Sequence, residues 1–526
     1  MISTEAWNPA SMAGAVLSPA VLGYLGALWL GYHVLVMLYN LSPLHPLYRF
    51  PGPKIAAATY AYEAYYDWWL VGRYGRAIKQ MHERYGPLAR ISPDELHCSD
   101  PAFTDEIYAG PGRIRDRFPH QLNGVSPGAL SVASFAAITH ELHRTRRLPL
   151  GRFFSRAQIS KLQSEILDLA HMTIDKMLRQ AGGGPIVLSQ ALQCFTADVI
   201  SQYSFGQPMG FVAQEGWEDN FATWTMPFLR LVHAMRHNAL LRNASQLTPM
   251  LAPILGKDTR TLLHQMNVVI PGYIRTAIAD PTSTSIFAEL TRNKMLPPEK
   301  SEAMMQKRLS ADGFTLLAAG TETTAATMSF IFYHLLASPH VQARLQQDLQ
   351  GVTPETLKWF ELEKRPYLWG VVQEGLRMMP GIAQRSARVA RDEALVYKSR
   401  DDGTDWVIPP GTPVSMTSMI NHWDEDLFPD PDTFEPERWL LDDGEGGVKP
   451  NFELQKKLIS FSRGSRACLG ENLALCEIYI MTTLFSLRVA HRARLVDTTI
   501  ENVTYDYELI GAQTKHGPVS VKIAIS

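Results

Sequence analysis

The chain has 526 residues, and its 50 Lys and Arg nearly balance its 52 Asp and Glu, giving a formal net charge of −2 at pH 7. This balance argues against nucleic acid as a partner, because nucleic-acid-binding surfaces need an excess of basic residues. Four cysteines with no CxxC or paired spacing make a zinc site or a disulfide framework unexpected and fit a reducing compartment: Cys98, Cys194, Cys468 and Cys476.

An uncharged apolar segment lies near the N-terminus. No Asp, Glu, Lys or Arg occurs from Met12 to Leu41, and residues 13–38 are rich in Ala, Leu, Val, Gly and Tyr. This is long enough for a transmembrane anchor, which needs about 20 apolar residues. A cleaved signal peptide is the alternative, but no basic residue precedes the segment. Because Arg49 and Lys54 follow it, the positive-inside tendency predicts that residues 1–12 are lumenal and that the body of the protein is cytosolic.

A proline-rich hinge, residues 41–54, separates this anchor from the rest of the chain. Its four prolines prevent a helix from continuing and stiffen the exit from the membrane. Residues 55–526 show no composition break and are expected to form one mainly α-helical domain with a minor β region. The predicted strands lie at 86–93, 95–98, 394–397, 406–408, 504–509 and 519–525, and helical patterns dominate from about residue 158.

A run of small and polar residues interrupts a long apolar helical pattern from about Leu309 to Leu336. It reads Ala-Gly-Thr-Glu-Thr-Thr over residues 319–324, and Gly and Thr lower helix propensity. The hydroxyl of Thr323 can bond the carbonyl four residues back and open the helix locally, which leaves room for water or O2. Glu322 beside it could then supply protons. The alternative is a solvent-facing glutamate with threonines that only pack helices.

A single cysteine lies in a glycine-bracketed turn near the C-terminus. Residues 461–470, called here the cysteine loop, read Phe-Ser-Arg-Gly-Ser-Arg-Ala-Cys-Leu-Gly, and an apolar helical pattern follows at once. Nearby positive charge and the start of a helix both favour a thiolate, which is the metal-binding form of cysteine. The two arginines just upstream of Cys468 are expected to supply that charge. A buried structural cysteine beside a Gly/Arg turn is the alternative.

The cysteine loop resembles the haem-ligand signature F-x-x-G-x-R-x-C-x-G of the cytochrome P450 superfamily. Residues 319–324 are similar to that family's A-G-x-D/E-T-T/S motif, Glu374 and Arg377 form its E-x-x-R pair, and residues 436–439 match a P-E-R-W-like segment. The motifs stand in the family's order, and the resemblance covers nearly the whole chain. It implies the cytochrome P450 fold, a triangular helical body with small sheets, and makes residues 217–255 a lid over the substrate pocket.

The resemblance also implies roles for individual residues. Cys468 would be the axial iron ligand of a b-type haem, enclosed by Phe461, Gly464, Arg466 and Gly470, while Thr323 and Glu322 would deliver protons to bound dioxygen. Partners for the haem propionates would be Arg466, Arg385 and the pair His143 and Arg147, with His in place of the usual Trp. The stretch 143–147 could instead be a solvated basic face or a docking surface for an acidic redox partner. Glu374, Arg377 and Arg438 would form a buried structural network, and the apolar pocket would be lined by Leu316, Ala319, Gly320, Ile382 and Ala383.

The function that the resemblance implies is a single-pass endoplasmic reticulum monooxygenase with a cytosolic catalytic domain. It would hydroxylate or epoxidise an apolar small molecule with O2 and electrons from NADPH, delivered by a separate NADPH-cytochrome P450 reductase, since no G-x-G-x-x-G follows a predicted strand. Residues 50–57 and 409–416 are similar to fungal microsomal, trichodiene-oxygenase-like members, which suggests terpenoid or polyketide secondary metabolism. Two alternatives stay open: a haem-thiolate isomerase or dehydratase that acts without O2, and a non-catalytic haem-binding membrane protein.

Overall fold

The computed structural model describes residues 19–218, 220–247, 250, 256–400 and 403–526. Helices dominate this part of the chain. Their bounds are α1 Pro19–Leu41, α2 Lys54–Ala58, α3 Ala61–Ala64, α4 Tyr74–Tyr85, α5 Thr104–Ile107, α6 Pro119–Val125, α7 His140–Gly151, α8 Arg156–Arg179, α9 Leu188–Phe205, α10 Phe221–His237, α11 Ala239–Ala244, α12 Lys257–His264, α13 Ile270–Ala279, α14 Ile286–Arg292, α15 Glu302–Ala337, α16 Pro339–Asp348, α17 Trp359–Leu362, α18 Pro366–Met378, α19 Ser418–Asn421, α20 Phe452–Gln455 and α21 Glu471–Arg488.

The strands are short and form small sheets. They are β1 Leu88–Arg90, β2 Leu96–Cys98, β3 Asp116–Arg117, β4 Ile186–Val187, β5 Arg388–Val389, β6 Leu395–Lys398, β7 Asp405–Ile408, β8 Pro413–Ser415, β9 Leu440–Asp442, β10 Val448–Pro450, β11 Ala493–Leu495, β12 Tyr505–Glu508, β13 Ala512–Thr514 and β14 Lys522–Ile525. The largest sheet has the order β1-β2-β8-β5-β3, with β2 and β8 parallel and the other neighbours antiparallel. Antiparallel pairing of β3 with β5 sets Arg117 opposite Arg388.

Helix α15, 36 residues long, is the central element of the core. Its N-terminus is capped by Ser301, whose hydroxyl accepts a hydrogen bond from the Met304 amide, and Pro339 follows just beyond its end. Most of its C-terminal half is buried against α9, α18 and α21, with Phe332 stacked on Phe485 at 4.1 Å between ring centroids. Packing against the core thus holds α15 in place, and with it the residues of the 319–324 motif.

Helix α1 is the one helix of the described chain that is long and apolar enough to cross a membrane. At about 1.5 Å per residue its 23 residues extend over roughly 35 Å, which matches a bilayer core. Its last turn is tied to the domain, because Asn40 donates to the Ala58 carbonyl at 2.9 Å and Arg90 donates to the Asn40 carbonyl at 3.1 Å. Arg90 also donates to the carbonyl of Pro93 at 2.8 Å, so one buried guanidinium joins the anchor, the hinge and the first β-hairpin.

The predicted architecture, a mainly helical body with small sheets and one apolar N-terminal helix, is confirmed. An apolar helix was predicted over residues 13–38, and α1 covers residues 19–41. It ends later than predicted because the chain keeps helical hydrogen bonds up to the first residue of the hinge. Residues 13–18 lie outside the described residues. The predicted helix at 309–336 is longer at both ends. Of the segment 217–255, residues 221–237 form α10 and residues 239–244 form α11, and residues 219, 248–249 and 251–255 lie outside the described part.

Candidate active site

The cysteine loop contains a 3₁₀ turn, Gly464–Arg466, and is followed directly by α21. The Cys468 amide donates to the Phe461 carbonyl at 2.7 Å, which closes the loop. Gly464 has φ of +69°, and a Cβ there would lie 2.2 Å from the Ala109 carbonyl oxygen, so this position requires glycine. Gly470 differs, since its φ is negative and a Cβ would meet no atom within 4 Å. The chain therefore leaves open space beside Gly470 and the exposed thiol of Cys468.

The positive charge that acts on the thiol comes from another helix than predicted. Although the Cys468 side chain faces open space, the protein around it desolvates the thiol and raises its pKa, and the backbone amide of Gly470 and the guanidinium of Arg147 in α7 oppose that rise. The upstream arginines have other partners: Arg463 pairs with Asp105 at 2.9 Å, and Arg466 donates to the carbonyls of residues 115, 137 and 138. The expectation that both upstream arginines favour the thiolate is therefore corrected, and Arg147 takes that role.

A group of five basic side chains, called here the cationic cluster, surrounds the same region: Arg117, His143, Arg147, Arg388 and Arg466. Burial lowers the pKa of each of them, and repulsion from neighbouring arginines lowers it further for Arg117, His143 and Arg466, that of Arg466 to about 9. Within the described residues, none of the four guanidinium groups forms an ion pair with a carboxylate, and Nε of Arg117 is buried without a hydrogen-bond partner. Buried positive charge of this kind is costly unless an anion joins it.

Arg385 does not belong to the cationic cluster. Its Nη2 lies 2.6 Å from Oε1 of Glu63, and it also donates to both carboxylate oxygens of Glu95, at 3.0 and 3.1 Å. Its guanidinium is thus held by carboxylates and does not fit the predicted contact with a propionate. Three residues later Arg388 occupies the cluster, with Nη1 on the Ser386 hydroxyl and Nη2 on the Ser462 hydroxyl, at 2.8 and 3.3 Å.

Sequence reasoning missed Arg388 and Arg117 as cluster members. They are far apart in the chain and become neighbours only because β3 and β5 pair. The one available signal for Arg388 was its position at the start of a strand shortly after the E-x-x-R pair.

The 319–324 motif occupies the middle of α15. Thr323 Oγ1 donates to the Ala319 carbonyl at 2.7 Å, the contact that the motif predicts. Glu322 accepts a hydrogen bond from Nε2 of Gln193 in α9 at 2.9 Å, and burial raises the pKa of its carboxyl group to about 7. The backbone at Gly381 packs closely on this turn, since a Cβ there would lie 2.4 Å from Cβ of Thr323. The hydroxyl and the carboxyl group are therefore both held in defined positions.

The structure brings Glu374, Arg377 and Arg438 together in a buried network. Arg377 donates to both oxygens of Glu374 at 2.8 Å, Arg438 Nε donates at 3.0 Å, and Trp439 Nε1 donates at 2.8 Å. Arg377 also donates to the carbonyl of His422, whose ring Nε2 accepts from the Ile459 amide just before the cysteine loop. The network is thus linked by two hydrogen bonds to the chain that carries Cys468.

The five residues predicted to line the pocket differ in how exposed they are. Ala319 and Ile382 are exposed and Leu316 is half-buried, as residues that line an open space would be. Ala383 is fully buried, with its amide donating to the Ile510 carbonyl at 3.2 Å. Gly320 faces Ile200 of α9, and a Cβ at Gly320 would lie 3.1 Å from that side chain. Gly320 therefore allows close packing of α15 on α9, and its role in the pocket wall stays a prediction.

Comparison with known proteins agrees with this geometry. The family model described as Cytochrome P450 matches residues 72–492. The cytochrome P450 monooxygenase ppzE of Metarhizium majus is 36% identical over 448 residues, 81% of this chain and 92% of that protein. The conidiogenone synthase PchP450 of Penicillium rubens is 35% identical over 461 residues, 86% and 90% of the two chains. The cytochrome P450 monooxygenase astB of Talaromyces wortmannii is 37% identical over 455 residues, 86% and 84%.

A helical body with one cysteine in a glycine-bracketed loop before a helix defines a haem-thiolate enzyme. The chain belongs to the cytochrome P450 family and is a monooxygenase of that family. The residues present fit the haem that the family implies. The open space beside Gly470 and Cys468 adjoins the cationic cluster, whose guanidinium groups have no carboxylate partner among the described residues. Haem carries two carboxylates that these groups could bind.

Proposed function

We propose that this protein is a membrane-anchored monooxygenase that inserts one oxygen atom into an apolar small molecule. The observation that carries the proposal is the pair Thr323 and Glu322 in mid-helix, with a carboxyl group whose pKa burial raises to about 7. Such a group is protonated or ionised in similar measure near neutral pH, which suits repeated transfer of protons. An enzyme that acts without O2, or a passive haem carrier, has no need for it.

The cofactor would be a b-type haem held by this chain's own residues. Cys468 would be its thiolate ligand, and Arg117, Arg147, Arg388 and Arg466 would neutralise its propionates. His143, whose pKa is lowered to about 2, would be neutral and would donate a ring N–H. Phe461, Gly464 and Gly470 would shape the loop beneath it. When bound, a thiolate-ligated haem supplies dioxygen activation, because the sulfur donates electron density that favours O–O cleavage.

Proton delivery is the task that we assign to α15. The Thr323 hydroxyl donates to the Ala319 carbonyl in the resting chain, and its oxygen can accept a hydrogen bond at the same time. Glu322, fixed by Gln193, would reload that hydroxyl through solvent. The roles of Ala319, Ile382 and Leu316 would be to keep the reacting face apolar, which selects a substrate that brings few polar groups.

Electrons would come from NADPH through a separate reductase in the endoplasmic reticulum membrane. Helix α1 supports a single-pass anchor there, and the hinge with Arg90 would hold the catalytic domain at a fixed angle on the cytosolic side. The relatives ppzE, PchP450 and astB are fungal enzymes. A place in fungal secondary metabolism, with a terpenoid or polyketide substrate, is the interpretation that their names and the apolar pocket support.

The test is product formation by membranes that contain the full chain and a fungal reductase. A panel of terpenoid and polyketide scaffolds is incubated with NADPH under isotopically labelled dioxygen and analysed by mass spectrometry. We expect a product that gains one labelled oxygen atom and requires both NADPH and reductase. Thr323→Ala should keep haem binding but consume more NADPH per product. Turnover without O2 and NADPH would favour the isomerase or dehydratase instead.

A further inference from the structure

A second group of buried ionisable side chains lies where α3, α6 and α10 meet. None of its members belongs to the cysteine loop or to the cationic cluster. Glu63 of α3 has its Oε2 atom 3.1 Å from Nε2 of His120 in α6. His237, the last residue of α10, has its Nε2 atom 3.9 Å from Oε1 of Glu63. One ligand atom from each of these three residues lies within 4.8 Å of the other two.

We propose that Glu63, His120 and His237 form a binding site for a divalent transition-metal ion, with zinc as the best chemical match. Two imidazole nitrogens and one carboxylate oxygen are a donor set that zinc binds, with water in the fourth position. Zinc bonds of about 2.0–2.1 Å place tetrahedral ligand atoms roughly 3.4 Å apart. His120 lies 3.1 Å from Oε2 of Glu63, His237 lies 3.9 Å from Oε1 of the same carboxylate, and one ligand atom from each residue lies within 4.8 Å of the other two. Metal binding would therefore draw the two imidazoles toward one carboxylate oxygen by side-chain rotation.

The ligand atom of His237 is at present unsatisfied. Its side chain is only 5% exposed, and its Nε2 has no hydrogen-bond partner among the described residues. The carboxylate oxygen Oδ2 of Asp67 lies 3.8 Å away, beyond hydrogen-bond distance. A buried, unpaired polar atom costs about 1–3 kcal/mol, and a metal bond would remove that cost.

The charges around the site leave room for a cation. Arg236 donates to Asp67 at 2.7 Å, and Arg385 donates to both oxygens of Glu95, so each guanidinium has a carboxylate of its own. Glu63 adds a third carboxylate to these two pairs. Arg385 approaches its Oε1 atom at 2.6 Å and Arg236 approaches the same atom at 3.4 Å, so the oxygen of Glu63 without a guanidinium partner is Oε2, on the side of His120. A dication entering there meets net negative charge.

The position of the site predicts what the metal would do. The three ligands come from three elements, and His237 ends α10, the helix of the segment that covers the substrate pocket in the proposed function. A bound ion would fasten α10 to α3 and α6 and oppose its outward movement. Metal binding itself does not depend on the proposed function; only the role of α10 as part of the cover over the substrate pocket rests on it.

The experiment uses the tag-free, full-length, haem-loaded protein in detergent. It is dialysed to equilibrium against buffered zinc, and bound zinc per chain is measured by elemental analysis. We expect one zinc in the wild type. His120→Gln and His237→Gln should each weaken zinc binding by roughly 10- to 100-fold or more. Loss of a residue that only hydrogen-bonds a metal ligand already costs that much affinity. His340→Gln, at an exposed histidine on α16, is the matched control and should bind zinc normally.

Glu63→Gln is not used, because Glu63 also takes part in buried ion pairs whose loss would destabilise the fold. Hydrogen exchange of the α10 amides gives a second readout, and zinc should slow it in the wild type but not in His237→Gln. Absence of bound zinc, or equal binding by the wild type and both ligand variants, would overturn the site. Site-specific binding with unchanged exchange of α10 would overturn the clamp. A normal haem spectrum in every variant keeps these outcomes separate from those of the proposed function.

Discussion

Replacing Glu374 by Gln tests whether the buried network below the cysteine loop stabilises the fold. Oε1 of Glu374 accepts hydrogen bonds from Arg377, Arg438 and the Glu435 amide, and Oε2 accepts from Arg377 and Trp439. Every one of these partners is a donor. The amide of Gln would turn one acceptor oxygen into a donor that faces at least two others, and it would remove the negative charge between two guanidinium groups.

The cost follows from burial. The side chains of Glu374 and Arg377 are 0% exposed, and that of Arg438 is 6% exposed. Removing one partner of a buried ion pair destabilises a protein by about 3–5 kcal/mol, because the other charge stays buried and unpaired. We expect a loss of that size in the free energy of unfolding, together with a lower haem content, since the network is linked to the chain before Cys468.

The matched control is Glu361→Gln. Glu361 pairs with Lys364 at 2.9 Å with the same three-residue spacing, but the two side chains are 39% and 66% exposed. Exposed pairs contribute about 0–1 kcal/mol. Urea unfolding followed by circular dichroism, with haem content measured in parallel, compares the two variants. If Glu374→Gln is no less stable than Glu361→Gln, the network does not stabilise the fold in the way described.

Three further changes test the site itself. Arg388→Gln should speed haem loss to an acceptor protein by roughly 10- to 100-fold, because a hydrogen bond to a charged group contributes about 1.5–3 kcal/mol; an unchanged rate would remove Arg388 from the haem-binding residues. Glu322→Gln should change how the free energy of unfolding depends on pH. Burial raises the pKa of Glu322 to about 7, so between the ordinary glutamate pKa and that value the folded chain keeps a proton that the unfolded chain loses. The free energy of unfolding of the wild type therefore falls as pH rises through this range. Thermal unfolding at several pH values should show that fall in the wild type and a smaller one in the variant, whereas parallel curves would contradict it. Gly381→Ala should cost about 1–3 kcal/mol and lower turnover, because its Cβ would press on Thr323; Gly272→Ala, in a helix where a Cβ meets no atom within 4 Å, should be neutral or stabilising.

Local motifs were readable from the sequence because their geometry is local. The Thr323 hydroxyl bonds a carbonyl one helical turn away, and the cysteine loop closes through its own backbone between residues 461 and 468. The long apolar pattern around residue 320 likewise predicted the central helix. Each of these features is determined by residues that lie close together in the chain.

Contacts between distant segments could not be read in the same way. Arg385 was predicted to bind a haem propionate, but it forms ion pairs with Glu63 and Glu95. Arg388 joins the cationic cluster only because its strand pairs with the strand of Arg117. The side chains that a fold brings together depend on strand pairing and helix packing, which no motif within one segment encodes. For the same reason the Glu63, His120 and His237 group had no sequence signal.

The central claim is that the sulfur of Cys468 is the axial ligand of a haem. The most direct measurement is the absorption spectrum of the reduced, carbon-monoxide-treated full chain. The wild type should show the Soret band of thiolate-ligated haem, Cys468→Ala should lose it, and Cys476→Ala, at a buried cysteine on α21, should keep it. A thiolate Soret band that survives in Cys468→Ala would contradict the account.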